Sequence, residues 1–270
     1  MAVASPALGV TRVEQIMGMP IVVDVRDVDD AAALEPLFDW FRFVDRTFST
    51  YIPASEIGRV NRGELALADS HPDVREVLAR CEELRGETKG FFDVRARSDD
   101  DIDPSGLVKG WSVDRAAAVA DELGWGNYAI NAGGDIRLKG GALPASVWRV
   151  GIQHPRNRQQ IVAVVAGDDL AVATSGAYAR GEHVFDPHTH RPPEGVLSVT
   201  IAGPDLGTAD AFATAAFAMG VGGPAWTARL RGYEAMTLLA DGRLLRTPGF
   251  PSDAQPALRH FPGRAASVGS

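Results

Sequence analysis

Apolar residues recur along this chain at spacings that separate strands from helices. Ile21 to Val25 alternates as Ile-Val-Val-Asp-Val and reads as a strand. Asp30 then opens a helix in which Leu34, Leu37, Phe38, Phe41 and Val44 share one face. A polar stretch, Ser49 to Gly63, is expected to be a loop. A second helix is predicted from about Pro72 to Arg85, with proline in its first turn and Gly86 just past its end. A third is predicted from Gly110 to Leu123, closed by Gly124.

The following stretch is strand-rich. Tyr128 to Asn131, Trp148 to Gln153, Ile161 to Val165, Ala171 to Ala173 and Leu197 to Ala202 read as strands. A helix from about Thr208 to Met219 follows, then a shorter candidate from Pro224 to Arg231. Ala235 to Ala240 and Arg243 to Arg246 are joined by Asp241-Gly242, a hairpin signal. Hairpins and meanders of this kind favour an α+β fold of mostly antiparallel sheet packed with helices. One domain is expected over residues 12–248, with a loosely held tail rich in Pro, Ala, Gly and Ser over 249–270.

Composition narrows the function classes. The 270 residues are 45% hydrophobic and 23% charged, enough for a sizeable core. Net charge is −8, which disfavours a nucleic-acid partner. The single cysteine, Cys81, excludes an internal disulfide and falls in the helical series Val74, Val77, Leu78, Cys81, Leu84, so a buried thiol is expected. No stretch approaches the ~20 apolar residues of a membrane span. With neither a signal peptide nor a cysteine near the start to take a lipid, the chain as given is expected in the cytoplasm, or exported if a leader segment was removed.

Four segments gather polar chemistry. Asn131-Ala-Gly-Gly-Asp135 follows a strand, and its paired glycines allow close backbone approach to a ligand or simply a turn. Asp103-Pro-Ser-Gly-Leu-Val-Lys-Gly-Trp111 leads into a helix start that can face an anion, with Lys109 adding charge. Ala173-Thr-Ser-Gly176 precedes His183-Val-Phe-Asp-Pro187; with His188 and His190 nearby, zinc is an alternative there. In Thr208-Ala-Asp-Ala-Phe-Ala-Thr214, Asp210 and Thr214 lie four apart on one helical face. They suit magnesium, unless Thr208 or Asp210 merely caps the helix.

Taken in order, these segments resemble the ApbE family of FAD:protein FMN transferases. A Met-Gly-Thr element reads Met17-Gly-Met19. Ser49-Thr-Tyr-Ile-Pro-Ala-Ser-Glu56 matches a second motif, with Asn61 after it, and Gly90-Phe-Phe-Asp93 a third. Asp103 to Gly110 matches Asp-x-x-Gly-x-x-Lys-Gly, with Asp114 beyond. The Asn-x-Gly-Gly-Asp, Thr-Ser-Gly, His-x-x-Asp-Pro and Ala-Asp-Ala-x-Ala-Thr segments complete the set, spanning about Met17 to Leu245. The resemblance implies an FAD cleft between two intimately joined subdomains. It implies that Met17, Tyr51, Phe91, Phe92, Asp93, Asp103, Lys109 and Phe185 contact FAD. The side chains of Asp210 and Thr214, with the Gly106 carbonyl, would hold Mg2+.

The implied reaction passes the FMN half of FAD to a threonine or serine hydroxyl of an acceptor flavoprotein and releases AMP. Lys109 would assist at the phosphates, and His183 or Asp103 would take the proton. Hydrolysis of FAD to FMN and AMP, or FAD binding without catalysis, are the alternatives. Three departures stand out. Met19 replaces the family threonine, and His190 replaces the glycine of Asp-Pro-x-Thr-Gly, which alters that turn. The stretch from Asp93 to Asp103 is short, so the cleft should be more open or its lid remodelled.

Overall fold

The structure is a computed structural model and describes residues 9–96, 101–143, 146–176 and 184–252. Strands β1 (Val10–Ile16) and β2 (Met19–Val25) form a hairpin, and β2 continues into β3 (Tyr128–Ala132) and β4 (Asp135–Lys139). Next come β8 (Asp169–Gly176), β9 (Val196–Gly203), β10 (Glu234–Leu239) and β11 (Leu244–Arg246). Together they make an eight-stranded sheet in which every pairing is antiparallel. Between β4 and β8 the chain leaves to build a three-stranded sheet from β5 (Gly141–Leu143), β6 (Ser146–His154) and β7 (Asn157–Gly167).

Helices cover one face of the large sheet. They are α1 (Glu35–Phe48), α2 (Glu56–Asn61), α3 (Pro72–Glu87), α4 (Ser105–Glu122), α5 (Leu206–Ala218) and α6 (Gly223–Thr227). The predicted apolar face of α1 is buried through Leu37, Phe38, Phe41 and Val44. It meets α4, where Trp40 packs against Trp111 with ring centroids 5.5 Å apart and planes tilted by 56°, and donates its indole N–H to Ser112 O. Cys81 lies in this core, and burial pushes its thiol up to about 12.

Several expectations move. Asp30 caps a short 3-10 turn before α1 rather than α1 itself. The stretch expected to be a polar loop contains α2, capped by Ser55. The third helix begins at Ser105, five residues before the expected Gly110, so Gly106 and Lys109 are helical. Pro104 precedes that helix, and burial of Leu107 and Val108 draws the first turn into the core. The periodic pattern did not reveal β1 or β4. β1 is an edge strand whose residues are almost all half-exposed or exposed, and β4 is a five-residue strand with only two apolar residues, Ile136 and Leu138. The tail expected to be loose is packed as far as Ser252. Phe250 is buried in a second core with Ile152, Val165 and Met236, and Ser252 bridges to Val165. Residues 253–270 lie outside the described residues.

Candidate functional site

Two hairpin turns open onto one cavity. Met17-Gly18 joins β1 to β2 with φ of 54° and 68°, the primed turn geometry that suits a two-residue hairpin. Gly18 adopts this freely; Met17 does so at a steric cost, and its side chain lines the cavity. Gly133-Gly134 joins β3 to β4 with φ of 60° and 111°. Asn131 Oδ1 accepts from Gly134 N at 2.9 Å and fixes this turn. A Cβ on Gly133 would lie 2.9 Å from Met19 Sδ, so Met19, in place of the family threonine, fills the space beside that turn.

The aromatic wall is built from short caps. Ser55 Oγ donates to Ser49 O at 2.6 Å while accepting from Gly58 N. Glu56 accepts from His71 N at 2.6 Å. These bonds hold the loop from which Tyr51 projects with 86% of its surface exposed. Thr88 Oγ1 accepts from Phe92 N at 3.0 Å, and the buried Phe92 ring lies 3.1 Å from where a Gly106 Cβ would be. Phe91 meets His188 edge-on at 4.7 Å. The Asp93 carboxylate accepts from Arg85 Nε and Arg95 N.

Asn61, which sequence reasoning placed but gave no role, clamps the segment before α4. Its amide donates to Ile102 O at 3.0 Å and its carbonyl accepts from Ile102 N at 2.9 Å. Asp103 N donates to Val94 O at 2.8 Å, closing the short stretch after Asp93. The turn that departs from the family pattern is closed by backbone hydrogen bonds. Asp186 O accepts from His190 N at 2.8 Å, and His190 itself takes a left-handed φ of 54°, the conformation a glycine would have supplied. His188, two residues before it, donates through Nε2 to Lys89 O at 3.1 Å.

The charged end lies between α4 and α5. These helices touch through Gly110, whose absent side chain admits the Leu206-Gly207 backbone. Asp205 caps α5 through Thr208 N, so neither Thr208 nor Asp210 serves as that cap. Asp114 reaches from α4 to accept from Leu206 N at 2.9 Å and Gly207 N at 2.8 Å. Burial pushes the Asp114 carboxyl up to about 6 against the pull of those donors.

Asp210 is therefore left facing inward, 3% exposed, with Gly110 N donating to it at 3.3 Å. Thr214, one turn on, lies 3.2 Å from Ser175 Oγ at the end of β8. Lys109 Nζ forms an ion pair with Asp135 Oδ2 and a longer one, 3.4 Å, with Asp210 Oδ1. Burial works against the Lys109 charge, but the two carboxylates outweigh it and raise its pKa. Burial, with Asp135 nearby, raises that of Asp210 although Lys109 pulls it down. Sequence reasoning missed Asp135 and Ser175 as site residues. Their signals were the acid that closes Asn-Ala-Gly-Gly-Asp and the hydroxyl of Thr-Ser-Gly.

Met17, Tyr51, Phe91, Phe92, Asp93, Asp103, Gly106, Lys109, Phe185, Asp210 and Thr214 all line this one cavity, of about 1910 Å³. His183 lies outside the described residues. The β6–β7 hairpin forms part of the cavity wall through Arg149, Gly151 and Gln153.

The oxygen donors suit a hard cation. Lys109, Asp135 and Asp210 sum to one negative charge in a largely buried setting, which a bound cation would offset. Magnesium needs few protein ligands when substrate phosphates and water supply the rest. Among the described residues no three His, Cys, Asp or Glu side chains converge as a metal-holding group. None of the described helices is long and apolar enough to cross a membrane.

The model of the ApbE family matches residues 17–98 and 95–237. The chain belongs to the ApbE family. It is 36% identical over 129 residues to a FAD:protein FMN transferase of Vibrio cholerae serotype O1, covering 44% of this chain and 39% of that protein. It is 32% identical over 130 residues to one of Haemophilus influenzae, covering 44% and 38%. Against one of Treponema pallidum it is 28% identical over 236 residues, covering 77% and 65%. The chain thus spans about two fifths of the length of the first two ApbE relatives. Its fold is similar to that of the flavin transferase ApbE from Vibrio cholerae, with a TM-score of 0.80 at 24% identity over 91% of this chain and 99% of that one. An ApbE protein from Thermotoga maritima gives 0.79 at 22% identity, over 91% of this chain and 100% of that one. The fold is accordingly α+β and ApbE-like.

Proposed function

We propose that this chain is a FAD:protein FMN transferase. It takes FAD as substrate, uses Mg2+ held by the side chains of Asp210 and Thr214 with the Gly106 carbonyl, and joins FMN to a threonine or serine hydroxyl of an acceptor protein. The observation that carries this reading is the convergence of an apolar and aromatic wall with a buried lysine–carboxylate cluster on one cavity. The names of the ApbE relatives support it. At about 1910 Å³ the cavity exceeds the ~300–1,000 Å³ of ordinary small-molecule sites, which leaves room for a protein hydroxyl beside a dinucleotide.

In this reading Phe91, Phe92, Met17 and Tyr51 hold FAD by burying its ring surfaces. The acceptor hydroxyl oxygen attacks the FMN-side phosphorus. A new phosphorus–oxygen bond forms as the bond from that phosphorus to the bridging oxygen breaks. AMP leaves with the bridging oxygen and its electron pair. The hydroxyl proton passes to the Asp103 carboxylate or the His183 imidazole. Bound Mg2+ would neutralise the diphosphate charge and steady the leaving phosphate. The Lys109 ammonium adds positive charge at the same phosphates.

Intact-mass analysis of an acceptor domain incubated with FAD and Mg2+ tests the proposal. The expected result is a mass gain equal to FMN less water. It should vanish on chelation, and fall at least 100-fold in rate in Asp210→Ala. Free FMN and AMP with no gain on a competent acceptor would overturn transfer in favour of hydrolysis. FAD binding with no AMP release would overturn catalysis altogether.

A further inference from the structure

We infer that Asp135 is a positioning residue: it holds the Lys109 ammonium away from Asp210, so that the Asp210 carboxylate stays available to a divalent cation. The inference rests on the metal-binding part of the reading above. Asp135 ends the tight Gly133-Gly134 turn, and its side chain is 2% exposed. Thr174 N donates to its Oδ1 at 2.9 Å, which fixes the carboxylate plane between β4 and β8. The other oxygen, Oδ2, is buried, lies against Lys109 Nζ and takes no further hydrogen bond among the described residues.

The lysine is therefore shared unequally. Its ammonium is in close contact with Asp135, whereas Asp210 Oδ1 is 3.4 Å away. Both carboxylates are almost fully buried, so each would pair with the one ammonium at hand if it could. With Asp135 neutral, the nearest charge left to Lys109 is Asp210. A small side-chain rotation would close that second pair. Lysine and cation would then compete for the same carboxylate. Asp135 prevents this without touching the cation or the substrate, acting through Lys109.

The test is Mg2+ titration by calorimetry in the absence of FAD, on the full chain and three variants. Asp135→Asn keeps the oxygen that accepts from Thr174 N and removes the charge. It should weaken Mg2+ binding at least tenfold. Adding Lys109→Met to Asp135→Asn removes the competitor and should recover at least threefold of that loss. Asp135→Glu, which restores the charge, should bind Mg2+ within threefold of the unaltered chain. A double variant no better than Asp135→Asn alone would overturn the inference, because Asp135 would then act by its own charge or by supporting the fold. So would an Asp135→Asn chain with unchanged Mg2+ affinity, or an unaltered chain that takes up no Mg2+. Circular dichroism on each variant identifies any that fails to fold; if Asp135→Asn is one, Asp135→Ser with and without Lys109→Met carries the same comparison. The readout is independent of turnover. An unaltered chain that transfers no FMN yet gives the expected Mg2+ pattern would overturn the proposed function and keep the role of Asp135.

Discussion

Replacing Gly110 with alanine should cost far more activity than stability. A Cβ there would lie 2.7 Å from the Leu206 carbonyl carbon and 2.9 Å from Gly207 Cα, and closer still to Leu206 O. Unstrained carbon–carbon contacts lie at about 3.5–4.0 Å, so α4 and α5 must part by roughly 1 Å. All three neighbours are backbone, and no rotamer change relieves them. Overpacking of this kind costs about 1–3 kcal/mol. Alanine returns about 1 kcal/mol of helix propensity. The net loss, on the order of 1 kcal/mol, should lower the melting temperature by about 2–4 °C. The same shift separates Lys109 and Gly106 on α4 from Asp210 and Thr214 on α5. Misplacement by ~1 Å at a reacting centre costs on the order of 100-fold in rate. Initial rates of FMN transfer, with calorimetric melting on the same samples, read both effects. Gly86→Ala in α3 is the control, since nothing lies within 4 Å of that position, and it should leave rate unchanged. A Gly110→Ala chain that transfers FMN within threefold of the unaltered one would refute the close approach as the device that sets the site.

His190→Gly should stabilise the chain by about 1 kcal/mol, because it relieves a left-handed backbone without removing the Asp186 bonds that shape the turn. Urea denaturation checks this; a stability equal to or below that of the unaltered chain would count against the strain. Asp114 gives stability a pH dependence. Its folded-state pKa, about 6, lies above the ~3.9 of an unfolded aspartate, so the folded chain holds the proton more tightly. Its contribution is full below about pH 4 and is lost as pH rises to about 6. The urea stability of the unaltered chain minus that of Asp114→Asn should therefore fall across this window, by on the order of 2 kcal/mol. A difference that stays flat or rises would refute burial as the dominant effect.

Much of the fold was legible in residue spacing. The α1 face of Leu37, Phe38, Phe41 and Val44, and the proline start of α3, follow from local preferences that tertiary packing reinforces. The Asp241-Gly242 turn also stands as expected, with Gly242 N donating to Leu239 O. Where packing decides, spacing fell short. The first turn of α4 carries a glycine and follows a proline, so it reads as loop until Leu107 and Val108 are buried against the core. The edge strand β1 has little buried surface and so leaves a weak periodic trace.

By itself the sequence determined the apolar faces of the long helices, most of the central strands, the Asp241-Gly242 turn and the residue kinds able to meet an anion or a hard cation. The motif order added the family. Only the tertiary structure decided that Lys109, Asp135 and Asp210, from three separate elements, share one buried cluster. It also assigned the α5 cap to Asp205 and freed Asp210 for the cavity. The physical reason is range. Turn chemistry and helical periodicity act over a few residues, whereas a buried charge is set by whatever partners the packed chain brings within a few ångströms of it.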